Sequence, residues 1–478
     1  MKSGHICTYG AILVSISTII SITSVSASTN LIASRLNTFA EALSIITSFY
    51  LVAKLISMPL VGVFTKIYET KKFTIFVSIG FIASNLLCYF STSIESLTVA
   101  RIIMGLFSGL IAPAPYLFIK QFIDPKEQSD FQLRFSAIAV LAPVIGACFI
   151  TLLNQENVFM IFILNGAICL LGCYLIFITS HEESGRNKVI SESVNVAETL
   201  KVILFCISIG AIVALLESGP KFGWFNSDSF TYISVACLFT LFLSIFIQAI
   251  SPKKVLAWDL FIKFDTSIVL VSGFFIGILV YGLLYFVPYY LSVAHNASPS
   301  EIFQVLMYTS ATQVLMLPLM IYMKRNFKPS FMMAIGSTIS LTSVALMINT
   351  GTHFIGPSLI PSQVVRAVGV PMTVMSLSIM MLSVAPKGKD ADLSSFYTLC
   401  RGLGGALGVA LLSAYASFRK EAHYNAINSH QNNADMNLAD TMSWHFAFSD
   451  TFFLLSVSLS VLTFLLWVLY IKQSLSKK

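Results

Sequence analysis

Three basic side chains lie inside apolar runs, where a bilayer tolerates charge least. Lys54 comes about 11 residues into the run that starts at Leu43, roughly 16 Å along by helical rise. Arg366 comes about 12 residues into another run, roughly 18 Å along. Arg101 sits in a third, nearer its outer end. A charge inside a membrane is costly and marks a functional site by default. The chemistry open to these three is electrostatic. Bases at low dielectric attract an anion strongly, and a desolvated lysine gives up its proton more readily than one in water. The bland readings are also physical. Lys54 and Arg101 could snorkel to an edge or meet a carbonyl, and Arg366 could pair with a carbonyl freed by Pro361 or Pro371. No Asp or Glu lies mid-span; Glu41 and Glu217, like the rest, fall in connections or near span ends.

The elements that hold these residues follow from composition. The 478 residues are 56% hydrophobic and only 11% charged, with mean hydropathy +0.82. Soluble domains carry about 25% charged residues, so the chain reads as an all-α polytopic membrane protein. A run of about 20 apolar residues crosses ~30 Å of hydrocarbon. Such runs lie near 9–28, 43–63, 73–91, 97–119, 134–153, 158–179, 200–217, 230–250, 267–291, 302–323, 331–349, 354–384, 393–417 and 449–471, fourteen spans in all. Basic residues collect in alternate connections: Lys66, Lys71 and Lys72, then Lys120 and Lys126, then Lys253 and Lys254, then Lys387 and Lys389. The positive-inside rule therefore puts both termini in the cytoplasm. That rule, not nucleic-acid binding, accounts for the excess of 29 bases over 22 acids.

Met1–Ser28 contains Val25-Ser26-Ala27, a signal-peptide-like cleavage pattern, but is expected as a retained first span. The eight cysteines form no CxxC pair and read as small hydrophobes. The seven histidines fall in loops or at span edges, so no metal site or cofactor is expected. The expected domains are an N-terminal six-helix bundle over 1–180, a cytoplasmic linker over 181–199, two inserted helices over 200–250, and a C-terminal six-helix bundle over 251–478. The stretch 418–450 is expected as a mobile, polar extracytoplasmic loop. Pro59-Leu60 before Lys66 is echoed by Pro318-Leu319 before Lys324, and Arg101 before Gly105 by Arg366 before Gly369, at nearly the same offset. Paired repeats around a central site are a transporter architecture.

Thr47-Ser48-Phe49-Tyr50-Leu51, Pro59-Leu60 and Gly62 lead into the second span. Arg101, Gly105, Gly109 and Pro113 mark the fourth, Ala142-Pro143-Val144-Ile145-Gly146-Ala147 the fifth, and Phe162 and Asn165 the sixth. Leu216-Glu217-Ser218-Gly219 follows the seventh, Asp259-Leu260 precedes the ninth, and Arg401-Gly402-Leu403-Gly404-Gly405-Ala406-Leu407-Gly408 lies in the thirteenth. In this order and spacing the chain resembles the fourteen-span drug:proton antiporters of the major facilitator superfamily, the EmrB/QacA type. The resemblance covers nearly the whole chain. It implies two six-helix pseudo-repeats plus two inserted helices, and an Arg101 that couples protons or gates a cavity. Three departures bear on mechanism. Ser21 stands where the family usually has an aspartate, with Thr23 retained. Lys66 stands where the family's loop has an acid, which puts the latch made by that acid in question, and Glu69 stands where it has a glycine.

The candidate substrate and proton pathway is Ser21, Thr23, Lys54, Arg101, Asn165 and Arg366. Lys54 is the candidate replacement for the aspartate absent at Ser21. The candidate gating and helix-bending set is Gly62, Lys66, Gly105, Pro113, Pro143, Gly146, Gly404 and Gly405; Pro143 removes a backbone donor and Gly146 allows close approach. The expected function is multidrug-type export of small organic molecules by alternating access, coupled to protons, in a bacterial cytoplasmic membrane. The alternatives are a dedicated exporter of an anionic metabolite, such as a carboxylate siderophore, and a transporter-like sensor that carries nothing. No nucleophile–base pair, metal spacing or phosphate loop suggests an enzyme. Expected partners are the small-molecule substrate, protons and the lipid bilayer, with a periplasmic adaptor and outer-membrane channel used by some relatives. A monomer suffices to enclose the cavity.

Overall fold

The computed structural model describes residues 2–38, 40–151, 157–179, 196–222, 227–251, 257, 259–294, 299–348, 359–386, 388–430 and 436–475. Regular structure among the described residues is helical throughout. The solvent requires this, because a bilayer offers no water to backbone N–H and C=O groups and a helix satisfies its own.

The chain opens with α1 (Lys2–Ala27), α2 (Thr29–Arg35), α3 (Ala40–Ser57) and α4 (Leu60–Ile67). It continues through α5 (Thr70–Tyr89), α6 (Ile94–Ile111), α7 (Ala114–Phe122), α8 (Gln128–Thr151) and α9 (Met160–Ile178). Next come α10 (Val196–Phe222), α11 (Asp228–Ile250), α12 (Asp259–Ile262) and α13 (Phe264–Gly277). A π-helical segment, Ile278–Gly282, joins α13 to α14 (Leu283–Ala294). The chain ends in α15 (Pro299–Asn326), α16 (Pro329–Ile348), α17 (Ile360–Val384), α18 (Asp390–His430) and α19 (Met436–Leu475). Among the described residues twelve helices are long and apolar enough to cross a membrane, or thirteen when a bent pair counts as one span. The fifth span is expected at α8, a 24-residue helix that is not one of the twelve.

Two expected spans are broken at proline. Pro59 parts α3 from α4, which bend 45° from one another, and Pro113 parts α6 from α7. Proline lacks the N–H that would continue the ladder, and its ring crowds the preceding turn. The stretch 418–450 differs from expectation. In its described part it is helix, with α18 running unbroken to His430 and α19 starting at Met436. Strong helix formers in Arg419-Lys420-Glu421-Ala422 favour this, and the two helices are clasped by ion pairs, Arg419–Asp450 and Lys420–Asp440, each at 2.6 Å.

The chain forms two compact units. The first is Met1–Ser267 with Met381–Leu399; the second is Ile268–Met380 with Cys400–Lys478. The first takes in α10 and α11, the pair set apart in the sequence as inserted spans. Its core gathers Tyr50, Phe81, Phe118 and Phe162 around a hydroxyl-rich α1, whose Cys7, Ala11 and Val14 are fully buried. Thr8, Ser17, Thr18 and Ser24 donate back to carbonyls of their own helix, which lets α1 be buried without orphaned hydroxyls at these positions. The core of the second unit contains interlocked rings, with Tyr290 edge-on to Phe448 at 4.9 Å and Phe286 to Phe448 at 5.4 Å.

Candidate functional site

Arg101 is the largest fully buried side chain among the described residues. It projects from α6 into the interior of the first unit, with none of its surface exposed, so it does not snorkel. Its Nη1 donates to Ser21 Oγ on α1 at 2.9 Å and lies 3.2 Å from Met104 Sδ one turn along its own helix. Its guanidinium carbon lies 4.1 Å from the ring centroid of Tyr50 on α3, a cation–π geometry that partly offsets desolvation. The Tyr50 hydroxyl donates towards Ser108 Oγ at 2.7 Å and the Thr18 carbonyl at 3.2 Å. Nε and Nη2 of Arg101 have no hydrogen-bond partner among the described residues. A sealed, incompletely paired guanidinium can hold a carboxylate or keep a proton away; it cannot take up a proton itself, because Arg stays charged. The approach of α6 to α3 explains Gly105, where a Cβ would run into the Tyr50 carbonyl.

Of the other candidate pathway residues, Ser21 belongs to this nest, and Lys54, Thr23 and Asn165 have contacts of their own. Ser21 pairs with Arg101. Lys54 is half-buried on α3, and its carbonyl accepts from Ser57 at 3.1 Å. Thr23 bonds to carbonyls of its own helix and lies where a Cβ on Gly146 would fall. Asn165 is buried on α9 and donates to Asn85 Oδ1 on α5 at 3.2 Å, a polar clamp between two helices. Arg366 belongs to the second unit, 6% exposed on α17, and no carboxylate pairs with it among the described residues. Pro143 lies within α8; its side chain, with those of Glu41 and Glu217, is outside the described residues.

Lys66 is not left without an acid. Its ammonium is 3.1 Å from Asp392 Oδ2 at the start of α18, and the Asp392 side chain is 2% exposed. The second oxygen, Oδ1, accepts no hydrogen bond among the described residues and occupies the space where a Cβ on Gly62 would fall. Two further pairs tie the same short stretch down. Lys120 of α7 donates to the Leu382 carbonyl at 2.8 Å and reaches Asp390 at 3.9 Å. Lys389 meets both oxygens of Asp259 at 2.8 Å, and the hydrogen bond from Lys389 holds the Asp259 carboxyl below the usual range. The basic residue at this loop position is thus matched by an acid from α18.

Two functional candidates are not singled out by the sequence. Asp392 escapes notice because it sits at a span end. A signal exists, since a base in an acidic loop position calls for an acid elsewhere. Arg401 escapes notice although it stands about eight residues inside the expected span 393–417, roughly 12 Å along. It reads as one letter of a glycine-rich motif. In the second unit it is half-buried, with Nη2 3.3 Å from the Tyr281 hydroxyl and its guanidinium carbon 5.8 Å from that ring's centroid. Tyr281 lies in the π-helical segment. Gly404 and Gly405 face that segment's helix, where a Cβ on either would run into the Phe274 carbonyl or the Tyr281 ring.

The description Major Facilitator Superfamily fits residues 10–409. "Colistin resistance protein EmrB" of Acinetobacter baumannii is 23% identical over 384 residues, covering 80% of this chain and 74% of that one. "Fatty acid resistance protein FarB" of Neisseria gonorrhoeae is 26% identical over 404 residues, covering 81% and 75%. The solved proton:xylose symporter XylE superposes with a TM-score of 0.64 at 12% identity, over 95% of both chains, a likeness of fold alone. With helices that cross a membrane many times and a match that runs over most of its length, this chain belongs to the Major Facilitator Superfamily of transporters, and EmrB-type export proteins are among its relatives.

Proposed function

We propose that this chain exports amphiphilic organic molecules across a bacterial cytoplasmic membrane in exchange for protons, by alternating access. Its cargo range is of the multidrug type and favours molecules that carry a carboxylate. The cargo preference rests on Arg101, a sealed base with two guanidinium nitrogens unpaired among the described residues, in a first unit whose spans carry no mid-span acid. A cation would be repelled by that interior and an anion drawn to it. Relatives named for resistance to colistin and to fatty acids support export of amphiphiles in general. In this reading both termini are cytoplasmic, Lys54, Asn165 and Arg366 border the path, and the Lys66–Asp392 pair latches the cytoplasmic face. One chain encloses the route; an adaptor and outer-membrane channel would extend it.

The test is uptake into inverted membrane vesicles under an imposed pH gradient, with decanoate beside a cationic dye. Decanoate accumulation that collapses with the gradient is the expected result. Dye uptake without decanoate uptake would sink the carboxylate preference. No uptake of either would sink export and favour a sensor. A second reading, a dedicated exporter of one anionic metabolite, draws on the same basic interior. It is distinguished by a panel in which a citrate-like anion accumulates and single-tailed amphiphiles do not.

A further inference from the structure

Arg401 poses a physical question that the export reading does not answer. It stands about 12 Å along the expected span 393–417 by helical rise, yet it is only partly buried. A guanidinium at that depth turns to polar groups of the bundle interior, to water or to a polar guest rather than to hydrocarbon. Its local setting is built tightly. A Cβ on Gly277 would run into the Arg401 carbonyl, and one on Gly404 into the Phe274 carbonyl, so α13 and α18 touch backbone to backbone. The helix facing Arg401 then widens into the π-helical turn Ile278–Gly282, which carries Tyr281. Such turns re-aim side chains and recur at functional sites. The Tyr281 hydroxyl is 3.3 Å from Arg401 Nη2, so phenol and guanidinium converge on one place.

We propose that Arg401 and Tyr281 form an anion-binding site in the second unit that takes the carboxylate of an amphiphilic cargo molecule. The planar fork of Arg matches the two oxygens of a carboxylate. The phenol hydroxyl donates a further hydrogen bond, and its ring gives the adjoining hydrocarbon an apolar wall. A lysine in place of Arg401 would be a point charge without the fork, so the site discriminates by shape as well as by sign. This site deepens the proposed function and rests on that reading for its cargo class.

The experiment is equilibrium binding of radiolabelled decanoate to the purified full chain in nanodiscs, with decanol and decyltrimethylammonium as competitors of the same tail. Wild-type protein is expected to bind decanoate, with decanol competing weakly and decyltrimethylammonium least. Arg401→Gln is expected to weaken decanoate binding by about tenfold or more, the usual cost of losing a charge-assisted hydrogen bond. Decanol affinity should stay unchanged. Tyr281→Phe removes one oxygen and should cost a few-fold; it carries the test if Arg401→Gln fails to fold. Arg401→Lys should recover part of the loss. No decanoate binding to wild type, or unchanged binding in both variants, overturns the site. Because binding is read without a gradient, the two readings separate. Arg401-dependent binding with no proton-driven flux keeps the site and overturns export, whereas full decanoate flux in Arg401→Gln keeps export and overturns the site.

Discussion

Two arginine–tyrosine pairs lie inside the spans among the described residues, and their surroundings differ. In the first unit Arg101 stacks on Tyr50 at 4.1 Å, with no exposed surface and with hydroxyls from α1 and α6 around the pair. In the second unit Arg401 lies 5.8 Å from the Tyr281 ring centroid, partly buried, beside a π-helical turn and a glycine seam. The same two side chains therefore have different prospects. A sealed pair fixes a positive potential that is closed to solution in this structure and acts on an anion through space. A partly buried pair is reachable by a solute without unpacking its helices. The backbone around them differs as well: the partners of Arg101 come from the α-helices α1, α3 and α6, while Arg401 meets Tyr281 on the π-helical turn Ile278–Gly282.

Breaking the comparison starts with charge removal at each site. Arg101→Met should abolish most gradient-driven uptake, by about two orders of magnitude, while thermal stability in detergent holds or rises. Replacing a buried charge with an apolar group of similar volume is often neutral or stabilising by about 1–4 kcal/mol. A large fall in melting temperature would instead make the Arg101 nest a structural element. Arg401→Gln should change stability little and decanoate affinity by about tenfold, so the two variants should separate in opposite readouts.

The Lys66–Asp392 pair sharpens the contrast between a charge that is matched and one that is not. Lys66→Asp places a second carboxylate against a nearly buried Asp392 and should cost about 3 kcal/mol of unfolding free energy. The double exchange Lys66→Asp with Asp392→Lys should recover most of that. Failure to recover would show that the two residues do not act as a pair. Smaller effects are expected at the close approaches. Gly105→Ala and Gly404→Ala each push a methyl into a neighbouring carbonyl and should each lower stability by about 1–3 kcal/mol. Only the second should also weaken decanoate binding.

The smallest effect is at Asp259. Its folded pKa is depressed by Lys389, so its stabilisation is present above the unfolded carboxylate range and is lost as pH falls through the folded value. Asp259→Asn should therefore flatten the acid side of a melting-temperature profile slightly and leave neutral pH and above a little less stable. Both partners are about two-fifths exposed, 39% and 40%, and exposed pairs contribute little. A steep change would mean that Asp259 does more than hold Lys389.

Much of the fold can be read from the chain because hydrophobicity and proline act locally. The apolar runs give the helices, and Pro59 and Pro113 mark where two of them break. Ser21 and Arg101 each stand out in the sequence, but their union is not legible there, because it joins residues 80 apart through packing. The sequence pairs Lys54 with Ser21 on the logic of a charge swap within one site. In the structure Ser21 accepts a hydrogen bond from Arg101, and Lys66 pairs with Asp392, a partner 326 positions away that no local pattern announces. The helix over 418–430 is hidden because a polar surface reads as loop when the ion pairs that support it come from the next helix. The π-helical turn is not legible either, since Ile278–Gly282 is as apolar as its flanks.

Helix α18 runs unbroken for 41 residues, roughly 60 Å against ~30 Å of hydrocarbon. Asp392 stands at one end, Arg401 partway along and Arg419 towards the other. In mechanical terms it is a single lever arm. One unbroken helix thus carries the Lys66–Asp392 ion pair, the Arg401–Tyr281 contact and the Arg419–Asp450 clasp. A fluorescent probe near Ser429 tests whether that helix answers as one body: its signal should change when decanoate binds the wild type and stay unchanged in Arg401→Gln.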